Sequence, residues 1–356
     1  MGKEKFVALD GLRGVAALLV VLYHYQASVG YEALMPSGYL AVDLFFLISG
    51  FVIGHAYEWK LLNQLTFRAF IEIRLIRLYP LFIMGCMLSV ICSFFAAVQS
   101  SDWYQLKQQL KALAFNAFFL PVPFWSDRGA YPLNFPAWTL FFELLINFIY
   151  AWLVRRLSTL VLLVVLVVST SASFIGAQVH ATADYASAGG PDMLWGLARV
   201  TTPFTMGLLL YRGWKSDPSR FPRVPAWMSV ALFCATLFFP RTGKGAAAAA
   251  TAIVVVGQTA IVALAIGSRP TGWLEKLFKA LGALSYPLYA LHIPIFATVA
   301  VFLVPERVSL VNAGLLAAVA TLAASTLAIG IDRRIGNALR KFAGLRRRDV
   351  QAAPSL

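Results

Sequence analysis

An arginine and a histidine on one apolar segment are the first residues whose types and spacing could do chemistry together. The stretch "LDGLRGVAALLVVLYHY" covers residues 9–25 and contains Arg13 and His24. At ~100° per residue their separation is three turns plus about 20°, so both lie on one helix face, about 16 Å apart along its axis. A guanidinium binds phosphate, and histidine is the usual general base near neutral pH. The pattern therefore predicts a polar path along this helix.

Two carboxylates in later apolar segments are candidates to assist the histidine. Asp43 lies at a depth compatible with His24 across a helical hairpin, where a carboxylate would fix the imidazole tautomer. Placement at the membrane interface explains Asp43 equally well. Glu143 lies about 9 Å inside the fourth segment, and an acidic residue at that depth is a functional candidate.

Three further arginines are candidates for binding or pairing. Arg74 and Arg77 are three residues apart in "RLIRLYP" and can hold phosphate groups, although such a pair is also an ordinary cytoplasmic charge cluster. Arg199 is the one arginine within an apolar span. It could form a buried ion pair with Asp43 or with Glu143.

The segment "LGALSYPLYALHIPIF" contains four more polar candidates: Ser285, Tyr286, Tyr289 and His292. The spacing of the last three, i, i+3 and i+6, places them on one side of a helix. Packing explains the two tyrosines well and the histidine less well.

The elements that must position these residues are membrane helices. The chain of 356 residues is 60% hydrophobic and 13% charged, with a mean hydropathy of +0.73, whereas soluble domains carry about 25% charged residues. Segments of about 20 apolar residues are long enough to span a bilayer. The predicted spans are 12–29, 39–58, 78–98, 137–154, 157–176, 192–212, 225–240, 246–267, 281–304 and 308–331. The sequence predicts an all-α polytopic bundle of about ten transmembrane helices.

The formal charge of +14 follows the membrane topology. Most of the 30 Lys and Arg fall at one set of helix ends if both termini are cytoplasmic, as the positive-inside rule requires. We therefore expect no nucleic-acid partner. The three cysteines lie inside apolar spans without ligand-like spacing, and no metal site is expected. Residues 1–331 are predicted to form one membrane-embedded domain, and 332–356 a basic, partly disordered cytoplasmic tail.

The ordered set of motifs resembles the acyltransferase family 3 of membrane proteins. Arg13, ten residues and then His24 look like the Arg-X10-His motif of that family. The likeness continues through "VDLFFLISGF", the pair Arg74 and Arg77 before "YP", Trp138 with the following threonine and Glu143, and "LSYPLYALHIP". It covers residues 8 to about 331. Many relatives carry a fused hydrolase-like domain, and we expect this chain to be a stand-alone form.

The resemblance implies an enzyme that moves an acyl group, commonly acetyl, to a hydroxyl of a carbohydrate or lipid-linked glycan of the cell envelope. The donor would be cytoplasmic acyl-CoA, a co-substrate rather than a permanently bound cofactor. By position in the motifs, His24 would be the catalytic histidine and Arg13, Arg74 and Arg77 the essential basic residues. We expect the bacterial cytoplasmic (inner) membrane as its location. Oligomeric state is open.

A proton-coupled secondary transporter is the rival from another class. His24, Asp43, Glu143 and His292 could form a proton relay through the spans, as ionisable residues in transporters do. The residues alone favour neither class. With the resemblance, the acyltransferase is the stronger prediction.

Overall fold

The computed structural model is a bundle of helices and describes residues 5–28, 34–122, 129–182, 193–303 and 310–342. Its elements are α1 (Val7–Ser28), α2 (Leu40–Asn63), α3 (Phe67–Ser100), α4 (Tyr104–Asn116), α5 (Ala137–Leu153), α6 (Thr159–Val179), α7 (Met193–Ser216), α8 (Ala226–Thr236), α9 (Ala246–Ala252), α10 (Thr259–Gly267), α11 (Gly272–Leu303) and α12 (Leu310–Phe342). A π-helical segment joins α9 to α10, and together they form one apolar helix. The part of the chain that the structure describes contains no strand, as expected of an all-α protein.

Eight helices among the described residues are long and apolar enough to cross a membrane. Two more are apolar but shorter: α5 with 17 residues and α8 with 11. Each predicted span overlaps one of these helices, so the prediction of a polytopic membrane bundle is confirmed. At 1.5 Å per residue α8 covers only about 17 Å of a hydrocarbon core about 30 Å thick.

Three helices extend nine or more residues beyond the predicted spans: α3, α11 and α12. Hydropathy marks only the part of a helix that is apolar, whereas the helix itself continues as far as its backbone is satisfied. Helix α3 begins at Phe67 rather than at 78, because the Thr66 hydroxyl accepts from the Ala69 amide at 3.2 Å and caps it. Helix α12 runs to Phe342, so residues 332–342 of the predicted tail are helical. The rest of that tail, 343–356, lies outside the described residues.

Helices α2 and α7 run parallel and touch through glycines. A Cβ atom at Gly50 would overlap the carbonyl oxygen of Phe204, and one at Gly207 would overlap that of Leu47. Small residues at such crossings let the backbones of membrane helices approach closely. The contact places the N-terminal ends of both helices side by side, which brings Asp43 to Arg199.

We expect Gly207→Val to lower the free energy of unfolding by about 3 kcal/mol, because the added carbons have no room at the α2–α7 crossing. Gly213→Val, on the same helix, is the matched control: a Cβ there meets nothing within 4 Å. Thermal unfolding in detergent measures both variants. Equal midpoints for the two would contradict the close crossing.

Helices α1 and α11 form a second close pair. A Cβ atom at Gly14 would overlap Leu281 of α11, and one at Gly282 would lie 2.7 Å from the Cβ of Asp10. The face of α1 that carries Arg13 and His24 is therefore pressed against α11 along its length.

Candidate active site

Arg13 and His24 both contact α11. The Arg13 guanidinium donates from Nε to the Ser285 hydroxyl at 2.9 Å and from Nη2 to the Gly282 carbonyl at 3.0 Å. Toward the outer end, His24 Nδ1 lies 3.0 Å from His292 Nε2. Since the contacts follow the same order on both helices, α1 and α11 run parallel and share a polar line from the guanidinium to the two imidazoles.

A cavity of about 100 Å³, room for several water molecules, lies beside the Arg13 end of this line. Its polar lining comes from five helices: Arg13, Ser49, Arg74, Arg77, Thr139, Glu143, Ser285, Tyr286 and Tyr289. Apolar side chains of α2, including Val42 and Phe45, complete the wall. The cavity therefore combines the three arginines that the sequence singled out with an apolar wall.

Each of the three arginines also has an acidic neighbour. Arg74 forms an ion pair with Glu143, and Arg77 Nη1 lies 3.5 Å from an oxygen of Asp332. Arg13 Nη2 lies 3.8 Å from Asp10. Arg74 is buried, and its Nε donor has no hydrogen-bond partner among the described residues. A buried guanidinium donor without a partner is costly.

Aromatic side chains and backbone carbonyl groups surround the two histidines. His292 is fully buried, and the rings of Tyr289 and Phe296 each lie 6.0 Å from it between centroids. His24 lies edge-on to Phe135 at 6.5 Å. At the end nearest the histidines, Thr139 and Tyr289 line the cavity. Tyr289 precedes His292 on α11 by about one helical turn.

Comparison with known proteins identifies the family. The family model described as an acyltransferase domain, that of the acyltransferase 3 family, matches residues 6–330. The chain belongs to this family. It is therefore an acyltransferase enzyme and an integral membrane protein, and the transporter alternative is set aside.

Two curated relatives are similar to this acyltransferase. "Protein 2 in picA locus" from Rhizobium radiobacter is 41% identical over 158 residues, which are 42% of this chain and 82% of the relative. "Putative membrane-bound transacylase BcsY" from Komagataeibacter xylinus is 25% identical over 308 residues, 80% of this chain and 72% of the relative. No solved structure matches the chain.

Asp43 and Arg199 of the acyltransferase form a buried ion pair between α2 and α7. Arg199 donates from Nε and Nη2 to the two carboxylate oxygens at 3.0 and 3.1 Å, and both side chains are about 95% buried. The guanidinium also lies over the rings of Tyr39 and Trp138, at 5.2 and 5.8 Å. Of the two pairings that the sequence left open for Arg199, the structure has the one with Asp43.

The imidazole of His24 is therefore supported differently from our expectation. We expected Asp43 or Glu143 to orient it, but these carboxylates bind Arg199 and Arg74. The Nδ1 atom of His24 lies 3.0 Å from His292 Nε2 and 3.1 Å from the Val20 carbonyl oxygen. The helices that carry Asp43 and Glu143 pack so that each of these carboxylates faces an arginine.

The remaining candidate residues line the cavity, some of them at its end nearest His292. The Tyr289 hydroxyl lies 2.6 Å from that of Thr139 and donates to the Pro136 carbonyl at 3.1 Å. Tyr286 donates to the Leu78 carbonyl, and the Arg77 guanidinium lies over its ring at 5.4 Å.

Asp332, the partner of Arg77, was missed by sequence analysis. It follows the apolar part of α12 directly and was assigned to the cytoplasmic tail, although an acidic residue at that boundary is a detectable signal. Its pair with Arg77 joins α12 to α3 beside the cavity.

Proposed function

We propose that this acyltransferase moves an acyl group, most simply acetyl, from cytoplasmic acyl-CoA to a hydroxyl of a cell-envelope carbohydrate or lipid-linked glycan. We place it in the bacterial cytoplasmic membrane. The observation that carries the proposal is the polar line of α1 and α11, with a guanidinium at one end, an imidazole at the other and a cavity beside it. The relative named as a transacylase supports the same reaction class.

The cytoplasmic end of the line is where the donor binds in this proposal. Coenzyme A carries several phosphates, and arginine binds phosphate through a planar fork of donors. Phosphates would compete with Glu143 and Asp332 for Arg74 and Arg77, and a side-chain movement that opened the enclosed Nε of Arg74 would add a further donor. The pantetheine arm then lies along the apolar wall of α2 and carries the thioester past Tyr289 to His24.

His24 acts as the general base in the transfer step. The imidazole takes the proton of the acceptor hydroxyl, whose oxygen attacks the thioester carbonyl carbon. The carbon–sulfur bond then breaks, and the proton on the imidazolium passes to the departing sulfur of coenzyme A. An ester and free coenzyme A are the products. Transfer through an acyl-histidine is the variant route. Glu143 contributes by holding Arg74 in place, and Asp43 by holding Arg199.

The test is acyl transfer by the full chain reconstituted in liposomes. Radiolabelled acetyl-CoA is supplied together with a crude envelope-glycan extract, and label in the glycan fraction is compared with released coenzyme A. We expect equal amounts of both. A parallel series with longer acyl-CoA donors reports the chain length that the cavity accepts. Absence of label with every donor in the series would overturn the proposal.

Replacing Arg74 with lysine is expected to raise the KM for acyl-CoA about tenfold or more, because a charge-assisted hydrogen bond is worth about 1.5–3 kcal/mol and lysine lacks the fork. The value of kcat should change much less. Arg68→Lys is the control on the same helix, since Arg68 is exposed and pairs with Glu72 one turn away. A KM for Arg74→Lys equal to that of Arg68→Lys would remove Arg74 from donor binding.

A further inference from the structure

The hydrogen bonds of His292 determine which of its ring nitrogens carries the proton. Its Nδ1 lies 3.0 Å from the carbonyl oxygen of Leu288 and 2.9 Å from that of Tyr289. A carbonyl oxygen only accepts, so Nδ1 is the protonated nitrogen. The side chain is fully buried, and burial away from water favours the neutral ring. In that ring Nε2 carries the lone pair.

This lone pair in turn determines the tautomer of His24. His292 Nε2 lies 3.0 Å from His24 Nδ1, and two lone pairs cannot face each other at that distance, so His24 Nδ1 carries a proton and donates it. The Val20 carbonyl lies 3.1 Å from the same nitrogen but already accepts the helical bond of the His24 amide, so it shares this proton with His292 and does not fix it alone. A neutral His24 with a proton on Nδ1 has its basic lone pair on Nε2.

We infer that His292 is a positioning residue that fixes His24 in the Nδ1–H tautomer, so that Nε2 is the nitrogen that accepts the substrate proton. The inference rests on the proposed role of His24 as general base. His292 occupies the place that a carboxylate has in many histidine-dependent sites, where the partner of the second ring nitrogen sets the tautomer.

The bond between the two rings also supports the charged state of His24. When Nε2 takes the acceptor proton, the Nδ1–H bond to His292 becomes charge-assisted and therefore stronger. The close approach of α1 and α11 at Gly14 and Gly282 keeps the two helices adjacent. The rings of Tyr289 and Phe296 restrict the rotation of His292.

Two substitutions of His292 separate its two hydrogen-bonding ends. His292→Asn has an amide near the position of Nδ1, which can still donate to the Leu288 or Tyr289 carbonyl but does not reach His24. His292→Gln has an amide oxygen near the position of Nε2, which can accept from His24. His180→Gln is the control, since His180 lies at the end of α6.

The decisive measurement is nitrogen NMR of the full chain labelled with ¹⁵N-histidine in nanodiscs, with the His24 signals assigned by their loss in His24→Asn. In the wild type we expect a proton on His24 Nδ1 and none on Nε2. His292→Asn should produce a mixture of tautomers, and His292→Gln should restore the wild-type signals. A proton on Nε2 in the wild type, or unchanged His24 signals in His292→Asn, would overturn the inference.

Kinetics supplies the second readout. We expect His292→Asn to lower kcat about 100-fold with an unchanged KM for acyl-CoA, and His292→Gln to recover most of the loss, since a wrong tautomer removes general-base catalysis. An altered tautomer with unchanged kcat would also overturn the role. The NMR result is obtained without substrate. If neither the wild type nor any variant transfers acyl groups, the proposed function fails. The NMR spectra then still show whether His292 sets the tautomer of His24.

Discussion

Replacing His24 with asparagine is expected to lower the kcat of acyl transfer about 10³-fold or more, because general-base catalysis supplies about 10²–10⁴-fold. The asparagine side chain is polar and resembles the first part of the histidine side chain in shape, but it has no group that takes a proton near neutral pH. The KM for acyl-CoA should change little, since the phosphates bind near Arg13, about 16 Å away along α1. The measurement is label transferred to the glycan fraction per folded protein.

The matched control is His180→Asn, in which a histidine is lost at the end of α6, where its ring lies 6.5 Å from that of Trp195. Its transfer rate should equal that of the wild type. Equal thermal midpoints for both variants and the wild type show that folding is not the cause. A His24→Asn protein that transfers label at the wild-type rate would remove the imidazole from the chemistry.

The same reaction mixture distinguishes the general base from an acyl-histidine. Without acceptor, a covalent route releases about one coenzyme A per protein in a rapid burst, as expected for an acyl-enzyme. A general base releases none, because the acceptor oxygen is the attacking atom. We expect no burst from the wild type.

Replacing Asp43 with asparagine is expected to lower the free energy of unfolding by about 3 kcal/mol or more, because it leaves the buried charge of Arg199 unpaired. Both members of this pair are about 95% buried between α2 and α7. Thermal unfolding in detergent measures the loss. The kcat per folded molecule should stay within a few-fold of the wild type, because the carboxylate binds Arg199 and acts on the fold.

Two variants make this prediction specific. Asp217→Asn is the exposed counterpart: Asp217 also lies 3.0 Å from an arginine Nε, that of Arg220, but in water such a pair contributes little, and the midpoint should hardly change. The double variant Asp43→Leu/Arg199→Met removes both buried charges and should recover most of the lost stability. A stable Asp43→Asn protein with a greatly reduced kcat would instead make Asp43 part of the catalytic machinery.

The class of the protein and the location of its spans could be predicted from the sequence. The length of an apolar segment and the hydropathy of about 20 consecutive residues are local properties, and the bilayer imposes them on each helix separately. The start of α5 at Ala137, for example, coincides with the predicted start of that span. Helical periodicity is equally local, and it placed Arg13 and His24 on the face that contacts α11.

The pairing of polar side chains was decided only by the tertiary structure. The sequence presented two acids as possible partners of Arg199 and two as supports for His24, yet the structure pairs Asp43 with Arg199 and His24 with His292. These partners are 156 and 268 residues apart in the chain. Which helices become neighbours depends on glycine contacts such as that of Gly50 with Phe204, for which hydropathy contains no signal. The sequence by itself thus determined which residues lie within the membrane, whereas helix packing decided which of them meet, because burial is a property of each segment and contact is a property of pairs.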